Sequence, residues 1–185
     1  LVPNAGFESW SLGTGASTSV PDGWVKVGVP TKYDKMFTLA TDKRVGSASA
    51  KITASAIGDG LNQALTFEPN TTYTVGFYYK TTTGTFAFTI TGTTPPSLTG
   101  NTALSAASWA YKSWTFTTDS DDTSLTLNFK SEAATDVFSL DGVMVTRGPL
   151  APAFSDKAVT DTGNQTIYGD ITIQDTDSAN YIILD

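Results

Sequence analysis

Thr72-Tyr73-Thr74-Val75-Gly76-Phe77-Tyr78-Tyr79-Lys80 is the stretch that decides the fold. Tyr73, Val75, Phe77 and Tyr79 fall on every second position, the period of a strand with one face on a core. Thr74, Gly76, Tyr78 and Lys80 are then left on the opposite face. Gly84 breaks the run, and Thr85-Phe86-Ala87-Phe88-Thr89-Ile90-Thr91 alternates again. Ser113 to Thr117 and Ser124 to Lys130 repeat the pattern, and Ala48 to Thr53 and Asp136 to Val145 complete the set of predicted strands. No stretch keeps a 3.6-residue apolar period over three turns, so helix should be nearly absent. Short strands separated by Gly, Pro, Asn and Asp predict an all-β antiparallel sandwich or barrel. Its core would hold Phe7, Trp24, Ile52, Tyr73, Val75, Phe77, Phe86, Phe88, Leu125, Leu127 and Phe129. Residues 11–33 and 95–108 read as long loops, and Trp24, Trp109 and Trp114 as core or loop anchors.

Composition agrees. Thirty-two of the 185 residues are threonine, whose branched side chain fits a pleated surface and is stiff in a helix. Only 16% are charged, and the net charge is -7. That balance argues against nucleic acid, which needs a basic stripe, and against capture by an anionic membrane. A neutral ligand or a cation suits it better. The chain has no Cys and no His, which excludes thiol nucleophiles, Ser-His-Asp triads and the usual zinc sites. There is no apolar run near 18 residues. Arg147-Gly148-Pro149-Leu150-Ala151-Pro152 marks a boundary, dividing a sandwich at 1–148 from a tail at 149–185. The tail carries strand-like runs at Ile167 to Ile173 and Tyr181 to Leu184, too few to bury a core alone. It must pack on the sandwich, pair with other chains, or begin a further domain.

Six phrases carry a family resemblance. They are Asn4-Ala5-Gly6-Phe7-Glu8, Pro21-Asp22-Gly23-Trp24, Gly46 to Ile52, Pro69 to Val75, Trp109 followed by Thr115-Phe116-Thr117, and Leu140-Asp141-Gly142-Val143. In this order and spacing the segment resembles carbohydrate-binding modules of families 4, 9 and 22, galactose-binding-like jelly-roll sandwiches. The resemblance implies a non-catalytic saccharide-binding module. It also implies a structural Ca2+ held by the Glu8 and Asp141 carboxylates and by backbone carbonyls around Gly46 and Ala48. Calcium takes hard oxygen ligands in a flexible shell. The alternative for the same acids is turn and edge hydrogen bonding.

The implied sugar site lies on a sheet face or loop rim. Tyr78 matches a ring that stacks on sugar in some relatives. Lys80 lies beside it, and Asn128, with Thr126 and Lys130, would offer hydrogen bonds from a neighbouring strand. Tyr33 and Phe37 would form a second wall. The alternative for Tyr78 is packing under the tail or against another subunit. Leu140 to Gly148 with Pro152-Ala153-Phe154-Ser155, and Gly169-Asp170-Ile171-Thr172-Ile173, are similar to phage tail and virion fibre sequences. This implies an extracellular virion protein attaching to host glycan, a homotrimer through its tail. The alternatives are a purely structural fibre module, or a secreted binding module of a polysaccharide-degrading enzyme.

Overall fold

The computed structural model describes residues 2–92, 103–121 and 124–150. Among them are nine strands: β1 (Val25–Val27), β2 (Lys32–Met36), β3 (Ser49–Thr53), β4 (Gly60–Thr66), β5 (Thr72–Thr83), β6 (Phe86–Gly92), β7 (Ala110–Thr117), β8 (Ser124–Ser131) and β9 (Val137–Arg147). A single 3₁₀ turn, Ala40–Asp42, is the helical element among the described residues. The strands form a four-stranded sheet ordered β1-β4-β8-β6 and a five-stranded sheet ordered β2-β3-β9-β5-β7. All pairings are antiparallel. Every connection except β2 to β3 passes from one sheet to the other, which is the winding of a jelly roll.

The core lies between the sheets. β4, β6 and β8 send in Leu61, Leu65, Phe86, Phe88, Ile90, Leu125, Leu127 and Phe129. From the other side come Ile52, Tyr73, Val75, Phe77, Tyr79, Phe138, Leu140, Val143 and Val145. Phe77 touches both layers, with its ring 4.9 Å from Phe88 and 5.0 Å edge-on from Phe129. All eleven expected core residues are buried. Expectation fails at the edges and on β4. Residues 11–33 contain β1, and Tyr33 lies inside β2 instead of in a loop.

Two aspartates fix the crossovers between sheets. Asp59, between β3 and β4, accepts hydrogen bonds from the amides of Val29, Ser55 and Ala56. Burial alone would raise its pKa, but these bonds outweigh that and hold the carboxyl below the ordinary range. Asp136, between β8 and β9, takes the amides of Glu132 and Ala133.

β9 carries the irregularity that shapes the outer face. Tyr78 pairs with Asp141 and Gly76 with Met144, so two residues of β9 oppose Phe77 alone. Gly142 stands at φ 52°, a left-handed position glycine adopts at no steric cost. This bulge points Asp141 to the outer face and returns Val143 and Val145 to the core. The Val143 amide then bonds to the Ala5 carbonyl, joining the start of the chain to β9. β9 ends at Arg147, and residues 151–185, with the predicted tail strands, lie outside the described residues.

Candidate functional site

The outer face of the five-stranded sheet gathers aromatic rings and cations. Antiparallel register sets Tyr78 of β5 opposite Tyr111 of β7 on one side and Asp141 of β9 on the other. The two tyrosine rings lie 5.0 Å apart with planes at 54°. Tyr111 rests over Gly76, where a Cβ would stand 2.1 Å from its hydroxyl oxygen. The ring can lie across the sheet because that position has no side chain. Tyr111 remains 39% exposed and Tyr78 is half-buried, so this platform meets solvent chiefly through Tyr111. Burial raises the Tyr111 phenol above its ordinary pKa, with Tyr78 adding to the effect.

The connection between β2 and β3 arches over this face. Its Arg44 guanidinium stands 5.0 Å above the Tyr78 ring. Lys80, two residues along β5 from Tyr78, places its ammonium 5.1 Å from the Trp109 ring. Both Lys80 Nζ and Trp109 Nε1 donate to the Thr41 carbonyl, at 2.5 and 3.0 Å. Thr41, Lys80, Ala107, Ser108 and Trp109 line a shallow pocket of about 160 Å³. Trp109 is thus a loop anchor, as expected. Trp24 is buried and Trp114 packs on the core.

Two expected sugar contacts are elsewhere. Tyr33 is fully buried, and its hydroxyl donates to the Gly60 carbonyl at 2.7 Å. It points inward because strand pairing sets it opposite Ile52, a core residue. Asn128 belongs to β8, in the other sheet, so it cannot share a face with Tyr78. Its side chain is 4% exposed and donates to Thr91 Oγ1 and the Thr126 carbonyl. Phe37 is 54% exposed on the arch that also carries Arg44. Tyr111 and Arg44 were not legible as site residues.

Of the residues expected at calcium, Glu8 contacts Ala48 and lies within the field of Asp141, and Gly46 falls in sequence between the amides that bond the two acids. Glu8 Oε1 accepts the Ser47 and Ala48 amides at 2.8 and 3.2 Å. Asp141 Oδ2 accepts those of Arg44 and Val45 at 2.7 and 2.9 Å, and its Oδ1 accepts that of Gly142. Asp141 is pushed up to about 7, first by burial and further by the charge of Glu8. Two carboxylates in each other's field are hard oxygen ligands that suit a divalent cation. Ala48 donates its N–H to Glu8. Among the described residues, no cluster of three or more acidic side chains offers a fuller ligand set.

No curated protein sequence matches the chain. Among solved structures, TmCBM61, determined with β-1,4-galactotriose, superposes with a TM-score of 0.58 at 14% identity, covering 79% of this chain and 97% of its own. The CBM22-1 xylan-binding domain of Paenibacillus barcinonensis Xyn10C gives 0.52 at 18% identity, covering 77% and 98%. The enzymatically active domain of bacteriophage CBA120 tailspike protein 4 gives 0.52 at 16% identity, covering 75% of this chain and 21% of its own. At these identities the likeness is one of fold. The sequence profile of the carbohydrate binding domain family matches residues 1–136, and with the jelly roll described above the chain belongs to that family.

Proposed function

We propose that the chain is a non-catalytic module that holds a saccharide on the outer face of its five-stranded sheet. One observation carries this reading: on a sheet face the exposed Tyr111 pairs with the half-buried Tyr78, which lies under Arg44, with Lys80 and Trp109 alongside. Aromatic rings present an apolar surface to the C–H faces of a pyranose, and the flanking donors meet its oxygens. A sheet holds the rings in place before the ligand arrives, so little ordering entropy opposes binding. Affinity electrophoresis against neutral and acidic polysaccharides tests it. At least one polymer should retard the wild type, and Tyr78→Ala or Tyr111→Ala should abolish that retardation without changing the melting temperature by more than a few degrees. Retardation that survives both substitutions would place the site elsewhere.

A calcium ion bridging Glu8 and Asp141 is part of the proposal. When bound it would neutralise two facing carboxylates and lock the chain start, the arch and β9 together. The setting we propose, from the sequence resemblance, is an extracellular phage tail or virion fibre that binds host glycan, trimeric through residues 149–185. Light scattering on the full chain should then give a trimer mass, and a monomer would remove that part. A module borne by a polysaccharide-degrading enzyme would use the same face, so the binding test is independent of the setting.

A further inference from the structure

We infer that the saccharide held on the Tyr78–Tyr111 platform is acidic, a pyranoside bearing a carboxylate that Arg44 and Lys80 receive. The inference rests on the saccharide reading above and adds the chemical class of the ligand.

Charge is the first observation. The chain carries 18 acidic and 11 basic residues, yet two cations, Arg44 and Lys80, stand at this platform. Among the described residues, neither Arg44 nor Lys80 has a carboxylate partner. Arg44 lies on the Tyr78 ring, and Lys80 lies on Trp109 while bonding a neutral carbonyl. The nearby acids are already engaged, the exposed Glu8 by the amides of Ser47 and Ala48. Asp34 pairs with Lys32 at 3.1 Å, and Asp141 is fully buried beneath the amides of residues 44 and 45.

Hydrogen-bonding chemistry is the second. A sugar hydroxyl both donates and accepts, so a neutral saccharide calls for donors and acceptors together. Arginine and lysine are donors only. The nearby Thr41 carbonyl, which could accept, is taken by Lys80 and Trp109. An ionised carboxylate only accepts, which matches the two cations beside the rings, and the guanidinium fork receives it through two parallel bonds. The net charge of -7 opposes a polyanion at long range. At physiological ionic strength that repulsion is screened beyond about 8 Å, while the two cations act at contact.

The experiment uses the full chain at physiological salt. Polygalacturonate, alginate and glucuronoxylan are each tested beside their carboxyl-reduced forms, with dextran sulfate as a further polyanion. At least one uronate polymer should bind at least tenfold more tightly than its reduced partner. Arg44→Gln and Lys80→Gln should each weaken that binding about tenfold, the size of one charge-assisted hydrogen bond. Binding of the reduced polymer should fall by less than that of the uronate in each variant, so the preference for the uronate itself shrinks, and the melting temperature should move by no more than a few degrees. Reduced polymers binding as tightly as uronates, or Arg44→Gln without effect, would overturn the acidic assignment and leave the saccharide reading intact. Dextran sulfate binding as tightly as any uronate would overturn the carboxylate in favour of anions at large. Retention by none of these polymers, nor by a neutral panel, would overturn both.

Discussion

Replacing Gly76 with alanine separates the binding platform from the fold that supports it. The added Cβ would stand 2.1 Å from Tyr111 Oη and 2.9 Å from its Cζ, closer than atoms can approach. Tyr111 is on the edge strand β7 and is 39% exposed, so its ring has somewhere to go. Gly76 is not among the glycines at positive φ, so alanine fits the backbone. Alanine in mid-strand gains about 0.5–1 kcal/mol over glycine. Lifting the ring forfeits its pairing with Tyr78, worth about 0.5–1.5 kcal/mol. The two nearly cancel, and the melting temperature should move by less than about 4 °C. Affinity for the retained polysaccharide should nevertheless fall about tenfold, or about 1.4 kcal/mol. Calorimetric melting and affinity electrophoresis read the two effects separately, and Tyr111→Ala closes a double-mutant cycle. In the Tyr111→Ala background, where the ring it would strike is gone, Gly76→Ala should stabilise. An unchanged affinity for the single variant would show that Tyr111 is outside the site. Destabilisation beyond about 3 kcal/mol would show that the ring cannot move aside, since that is the upper range for overpacking.

Phe77→Ala should cost about 3–5 kcal/mol in denaturant unfolding, because it empties a position packed on both Phe88 and Phe129. Asp59 titrates lower in the folded chain than in the unfolded one, so the unfolded state binds more protons in acid. Its stabilisation should be complete above about pH 4 and lost as pH falls through the folded value, a slope that Asp59→Asn removes in acid titrations followed by fluorescence. If calcium bridges Glu8 and Asp141, chelation should lower the melting temperature. Calcium at a hundredfold excess over its dissociation constant should restore about 2.7 kcal/mol, and Asp141→Ala should abolish the response. Identical melting of wild type with and without chelator would leave the amide bonds as the whole role of these two acids.

What the sequence made legible follows from where its alternation was clean. In β5, β6 and β8 a large apolar residue occupies each inward position, and the faces could be read directly. β4 escaped because the inward position between Leu61 and Leu65 is Gln63, a polar residue whose amide bonds the Pro3 and Gly23 carbonyls. β2 reads as a charged loop, since Lys32, Asp34 and Lys35 surround its one core residue, Tyr33. β1 is three residues at a sheet edge with both valines outside the core. Alternation gives the direction of a side chain but not the sheet it belongs to. Asn128 was correctly read as pointing away from the core and wrongly set beside Tyr78, because β8 pairs with β4 and β6. Tyr111 reaches Tyr78 through strand pairing 33 positions away in sequence, and Arg44 reaches it through a loop. Neither distance leaves a local signal.

The acidic side chains of this fold have a consequence for its response to salt. Glu8, Asp59, Asp136 and Asp141 are all anchored by backbone amides and not by lysine or arginine. Such bonds act over one atomic contact, and those of Asp59, Asp136 and Asp141 are partly buried, where mobile ions do not intervene. Exposed ion pairs such as Arg147–Glu68 contribute little to begin with. Added salt therefore weakens almost nothing that holds the sandwich together, while it screens the mutual repulsion of an acidic surface. The protein should tolerate, and slightly gain from, brine that would loosen a fold fastened by ion pairs.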